Sequence, residues 1–210
     1  MDDVGGLADD LLAAVDAATR RFLLGITGPP GAGKSTLAGA LAAAISERRG
    51  PGFAVVTPLD GFHLSNEALE LLGLLPVKGA PQTFDAAAFV RSLRRLRDEP
   101  RAAILWPDFD RAAEATVAGA ISVDPEAHLV ITEGNYLLLD RPWWRQVRRL
   151  LDEVWYVDAP DDVLRRRLIE RQLEGGRSEA DAVRHVLESD LRNAELVART
   201  QRLADRTVRT

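Results

Sequence analysis

The feature that most constrains this chain is an eight-residue run, Gly28-Pro-Pro-Gly-Ala-Gly-Lys-Ser35. It lies between a short apolar segment, Phe22–Thr27, and an Ala- and Leu-rich stretch, Lys34–Arg49. Strand, glycine-rich loop and helix in that order bring backbone N–H groups and a helix N-terminus to bear on one anion. Gly28, Gly31 and Gly33, spaced by Pro29, Pro30 and Ala32, let the loop curl with successive N–H groups turned inward. Lys34 then reaches the β and γ oxygens of a nucleoside triphosphate, Ser35 holds a magnesium ion, and Thr36 completes the binding turn. ATP and Mg2+ are the ligands this predicts.

Lys34 stands out further against the composition. Lys34 and Lys78 are the only lysines among 27 Lys+Arg residues. A compact ammonium fits inside a loop wrapped round phosphate, where a planar guanidinium does not. The formal net charge of −5 gives no broad basic field for nucleic acid or an anionic membrane, so phosphate must be held locally. Cysteine is absent, which excludes disulfides, thiolate metal sites and cysteine nucleophiles. The N-terminus is acidic and no apolar run reaches membrane-spanning length, so the expectation is a soluble cytoplasmic protein. At 210 residues the chain can bury one good core, and one domain over 1–210 is expected.

Apolar β-like runs alternate with amphipathic helical stretches, without repeats or long linkers. Strands are predicted at 22–27, 53–59, 102–106, 129–132 and 153–157, with a further edge strand at 207–209. Helices are predicted at 7–20, 34–49, after Asp85, from Pro142, from Pro160 and over about 179–203. Phe89, Leu93 and Leu96 fall on the buried side of the helix after Asp85, and Trp143 and Trp144 are assigned to packing. The predicted fold is α/β, a P-loop NTPase three-layer sandwich. Its mostly parallel five-stranded sheet is flanked by helices, ligands bind at the strands' carboxyl ends, and a helical lid covers about 160–180.

Several residues beside the loop carry chemistry. Asp60, in LDGFH at the end of a strand, can accept a hydroxyl proton or hold magnesium; Asp-Gly is also a common turn pair. His63 either lines an acceptor site or fills the loop. Glu133 ends LVITEG, where an acidic residue would meet the magnesium shell, and Gly134 permits close backbone approach. Of the arginines following Pro160, Arg167 and Arg171 share a helix face at i, i+4 and are preferred for neutralising charge on a transferred phosphoryl group. Arg165 and Arg166 read as solvated surface, Arg177 follows the Gly175-Gly176 break, and that glycine pair would serve as a hinge.

With these motifs the chain resembles the phosphoribulokinase/uridine kinase/pantothenate kinase family of P-loop small-molecule kinases. Within that family it resembles a bacterial branch labelled as fructose-transport-system or nucleoside kinases. LDGFH, KGAPQTFD, Trp106-Pro-Asp-Phe-Asp-Arg111 and EGNYLL carry the resemblance across nearly the whole length. It implies Asp60 as general base, Ser35 and Glu133 near magnesium, and Arg167 and Arg171 as lid arginines. Lys78, opening the KGAP block, then approaches the acceptor, and Asp108, Phe109, Asp110 and Arg111 are candidates for the acceptor wall. Phe109 stands where the family often has Tyr, which removes a hydroxyl donor and keeps uridine recognition from transferring directly. Asp190 and Asn193 either contact nucleotide, support the site or solvate a helix. The family also implies a small-molecule phosphate acceptor and a homodimer.

The function expected is transfer of the ATP γ-phosphate to a hydroxyl of a sugar, nucleoside or pantothenate-like alcohol. A regulatory nucleotide-binding ATPase is the alternative of a different class. A nucleoside monophosphate or shikimate-type kinase is the nearest enzymatic rival, which LDGFH and KGAPQTFD disfavour. An Asn-Lys-x-Asp GTPase is excluded because Lys34 follows Gly and Lys78 follows Val.

Overall fold

The structure, a computed structural model, describes residues 2–210. In chain order the first half contains α1 (Val4–Ala17), β1 (Phe22–Thr27), α2 (Lys34–Arg49), β2 (Ala54–Pro58), α3 (Asn66–Leu71) and α4 (Ala86–Asp98). Then follow β3 (Ile104–Asp110), β4 (Ala115–Val123), β5 (Leu129–Glu133), α5 (Trp144–Leu150) and β6 (Glu153–Asp158). The last part is α6 (Asp161–Glu174), α7 (Glu179–His185), a π-helical turn (Val186–Asp190), α8 (Leu191–Ala198) and β7 (Arg206–Arg209). Among the described residues no helix is long and apolar enough to cross a membrane.

The main sheet has five strands in the order β2-β5-β1-β6-β7, and every neighbouring pair is parallel. Its strands read as nearly continuous apolar runs because both faces are covered. The period of two divides each strand between two cores. Leu23, Val130, Val154 and Tyr156 face α4 and α5, whereas Leu24, Ile26, Ile131, Trp155 and Val157 face α1 and α2. Phe89, Leu93 and Leu96 are fully buried, as the helical period predicts.

Three sequence expectations are corrected. Residues 102–106 do not supply a strand of the main sheet. β3 pairs antiparallel with β4 in a separate two-stranded ribbon, and the fifth sheet strand is instead β7, at the edge anticipated for 207–209. Pro107 cannot donate to a ladder and sits where the register shifts between Trp106 and Asp108, which suits an outlying ribbon better than a sheet interior. The long helix expected over about 179–203 runs without a break from Glu179 through the π-helical turn to Ala198, and a 3-10 turn follows at Gln201–Leu203. The helix expected from Pro142 starts at Trp144, leaving Trp143 at φ 68° and 46% exposed, so only Trp144 packs. Trp144 meets the rings of Phe84, Phe89 and Tyr136.

Candidate active site

Register places the site. Ile26 of β1 and Pro58 of β2 both lie opposite Glu133 of β5, so three strands end level at one carboxyl edge. Gly134 N–H donates to Ile26 O at 3.0 Å, and Leu59 N–H donates to Glu133 O at 2.8 Å. The phosphate loop, Glu133 and Asp60 therefore emerge side by side. Two glycines make that convergence tight. A Cβ on Gly134 would lie 2.6 Å from the Leu59 Cβ, and one on Gly61 would lie 2.1 Å from Pro107 O of the ribbon. Both distances are shorter than any real contact, so each glycine is required by a neighbour's approach. The Asp60-Gly61 pair is more than a surface turn: its glycine seats the β3–β4 ribbon against the strand that delivers Asp60.

A cleft of about 980 Å3 opens over this edge. At one end, Pro30, Gly31, Gly33, Lys34, Ser35 and Thr36 face it, while Gly28, Pro29 and Ala32 form the loop's buried back. The Lys34 ammonium donates to Pro29 O at 3.0 Å and is only 8% exposed. Burial pushes its pKa down to about 8, Glu133 and Asp60 pull it back up, and Arg171 adds to the depression. Ser35 Oγ donates to Glu133 Oε1 at 2.7 Å. Burial raises the Glu133 carboxyl above the ordinary range, and Lys34 opposes that shift.

The loop's carbonyls are held from outside. Arg167 Nη1 donates to Gly31 O at 3.3 Å, and Thr210 Oγ1 donates to Ala32 O at 2.8 Å. With those oxygens turned away, and Ala32 N–H donating to Pro29 O at 3.1 Å, the N–H groups on the cleft side of the loop are left for a ligand. Thr210 is a site residue that sequence reasoning missed, because a lone threonine at the end of a four-residue edge strand gives no local signal. Arg171 pairs with Asp190 at 3.5 Å, and Gln172 Nε2 donates to the same carboxylate at 3.3 Å. Arg177 lines the cleft, whereas Arg165 and Arg166 lie on a shallow outer face of α6.

At the other end, Asp60 Oδ2 accepts from Arg111 Nη2 at 2.7 Å, an ion pair absent from the sequence reading. Lys78 Nζ donates to Asn66 Oδ1 at 2.8 Å, lies 3.5 Å from Glu114 Oε2 and sits 5.3 Å from the centre of the Phe109 ring. The His63 ring packs between Phe84, at 4.0 Å, and Phe109, at 5.2 Å. Burial pushes its imidazole down to about 4, so it is neutral near pH 7, and its Nδ1 has no hydrogen-bond partner. Phe109 and Arg111 line the cleft but Asp108 does not: its carboxylate accepts the Phe109 N–H at 2.8 Å. Successive side chains of a strand point to opposite faces, which separates Asp108 from its two neighbours in the proposed wall. Asp110 is likewise turned away, its carboxylate accepting the N–H groups of Ala112 and Ala113.

Among the described residues, no group of three or more His, Cys, Asp or Glu side chains gathers to hold a metal ion alone. The parallel sheet and its phosphate cradle define a P-loop protein. No family model matches the chain. It is 34% identical over 205 residues to "Putative uridine kinase C227.14" of Schizosaccharomyces pombe, covering 91% of this chain and 87% of that one. It is 36% identical to the Escherichia coli protein YggC over 93% of this chain and 81% of its relative. A solved structure of a "putative fructose transport system kinase" from Silicibacter sp. TM1040 superposes with a TM-score of 0.89 at 40% identity, covering 99% of this chain and 100% of that one. The chain belongs to the family of P-loop ATP-dependent kinases that includes uridine and pantothenate kinases.

Proposed function

We propose that this protein transfers the γ-phosphate of magnesium-ATP to a hydroxyl of a small alcohol: a sugar, a nucleoside or a pantothenate-like acceptor. The observation that carries this is the shared strand register, which sets Lys34, the Ser35–Glu133 pair and Asp60 along one cleft edge. Magnesium is usually held by one or two carboxylates together with phosphate oxygens and water. A hydroxyl and a carboxylate 2.7 Å apart, next to the loop that would hold those phosphates, fit that need. When bound, the metal neutralises charge on the β- and γ-phosphates and orients them.

The chain's own residues supply the rest. Backbone N–H groups of the loop and the Lys34 ammonium hold the triphosphate. Arg171, standing across the cleft close enough for its charge to act on Lys34, meets the charge spread over the γ-phosphate oxygens. Asp60 takes the proton of the acceptor hydroxyl as its oxygen attacks phosphorus, and ADP leaves. Arg111 orients the Asp60 carboxylate before the acceptor arrives. Phe109, the neutral His63 and Lys78 form the wall against which the rest of the acceptor rests.

The test is ADP release from magnesium-ATP across a panel of sugars, nucleosides and pantothenate-like alcohols. Stimulation by one class assigns the acceptor. Release that no alcohol changes, but a protein partner stimulates, assigns a regulatory ATPase instead.

A further inference from the structure

Asp190 is buried, only 7% exposed, and its carboxylate is held loosely. Its two side-chain partners are both long: Arg171 at 3.5 Å and Gln172 at 3.3 Å. An isolated carboxylate taken out of water is costly unless it is well paired, so a buried one held so loosely calls for a reason. It closes the π-helical turn Val186–Asp190, and such turns displace the following residues relative to a regular helix. Asp190 and Asn193 thereby both line the cleft, facing the α6 side chains. His185, on the helix that precedes it, and Tyr136 also lie close enough for the Asp190 charge to act on them.

Arg171 also faces the cleft, with its side chain 46% exposed, and among the described residues Asp190 is its one ion-pair partner. We propose that Asp190 is a positioning residue: it tethers Arg171 at the mouth of the phosphate loop, where the guanidinium can pass to a γ-phosphate with little reorganisation. Confining a rotamer-rich side chain in advance removes an ordering cost that binding would otherwise carry. The weak geometry of the tether suits this role, because a tight bidentate pair would compete with the phosphate for the same donors. The proposal rests on the reading of Arg171 as the arginine that meets the γ-phosphate.

The experiment needs no acceptor. Affinities for magnesium-ADP and for a magnesium-bound non-hydrolysable ATP analogue are measured by calorimetry on the full chain, and their ratio reports recognition of the γ-phosphate alone. Arg171→Ala is expected to reduce that ratio about tenfold or more. Asp190→Asn is expected to reduce it about threefold or more with ADP affinity unchanged, and to add nothing in the Arg171→Ala background. Asp190→Glu, which keeps the charge, should recover most of the ratio.

If Arg171→Ala reduces the ratio and Asp190→Asn does not, the tether is wrong and the role of Arg171 stands. If the Asp190→Asn loss persists undiminished in the Arg171→Ala background, Asp190 acts by another route and the proposal fails. If Arg171→Ala itself leaves the ratio unchanged, the reading of Arg171 fails and the tether with it. Should Asp190→Asn not fold, Asp190→Ala carries the cycle: a loss of about threefold or more that vanishes without Arg171 supports the tether, and any other result overturns it.

Discussion

The phosphate-loop end of the cleft and the Asp60 end, where we place the acceptor, grow from the same sheet edge, but they are held in different ways. At the phosphate end, Lys34 and Glu133 are each 8% exposed and locked by short bonds to Pro29 O and Ser35. Their positions are set by strands buried on both faces. At the other end, Asp60 and Arg111 have side chains 34% and 66% exposed, and the two-stranded ribbon that carries Phe109 belongs to no larger sheet. A buried cradle at one end and an exposed ion pair at the other leave the second end the freer to change. Relatives of the chain carry the names putative uridine kinase and pantothenate kinase.

The largest effect expected is at the join between the two ends. Asp60→Asn should lower acceptor-dependent turnover by about 10²- to 10⁴-fold while nucleotide affinity stays within about twofold. An equal loss in both would place Asp60 in the phosphate end and break the division.

Next in size is a contrast between the two lysines. Lys34→Arg should weaken magnesium-ATP binding by about 100-fold, because a guanidinium has no room inside the buried loop. Lys78→Arg, at the half-exposed wall, should leave nucleotide affinity unchanged and shift the acceptor KM by less than about tenfold.

A pH series separates the ends further. With the Lys34 ammonium pushed down to about 8 in the empty cleft, nucleotide binding must restore its proton above that pH. Affinity should be flat below pH 8 and fall by up to about tenfold per unit above it, with proton uptake detectable in buffers of differing ionisation enthalpy. Unfolding does not explain such a fall. A lysine whose folded pKa lies below its unfolded value makes the unfolded chain the stronger proton binder between about pH 8 and 10.5, so this group adds stability as pH rises through that window. His63, pushed down to about 4, contributes no limb between pH 5 and 8.

The smallest effect expected is steric. Gly61→Ala places a methyl where Pro107 O now lies, so the ribbon must shift. A stability loss of about 1–3 kcal/mol in thermal unfolding and a raised acceptor KM, with ADP affinity unaltered, would locate that glycine's role at the acceptor wall.

The same division explains what could be read from the sequence. The cradle is one contiguous strand–loop–helix whose chemistry and local structure coincide, and Glu133 closes an apolar run fully buried in the sheet. The fold class follows from the same runs. The ribbon was harder because β4 is mostly exposed and rich in Ala and Gly, so it shows no alternation of buried and solvent-facing residues. Its partner β3 looked like a sheet strand because Ile104 and Trp106 are buried, though against α4 and Phe62. The Asp60–Arg111 pair spans 51 residues, and the Thr210 contact to Ala32 spans 178, and neither leaves a mark in local pattern. The π-helical turn was hidden because its residues, Val186–Asp190, continue a helical composition without Gly or Pro.

We propose that phosphate held at the loop end of the cleft passes to a hydroxyl at the Asp60 end. Labelling the γ-phosphate of ATP and following the label, in the presence of the alcohol that stimulates ADP release, tests this most directly. The label is expected in a phosphate ester of that alcohol, formed in equal amount to ADP by the native chain and lost with Asp60→Asn. Label found only in inorganic phosphate, at the same rate with or without the alcohol, would contradict it.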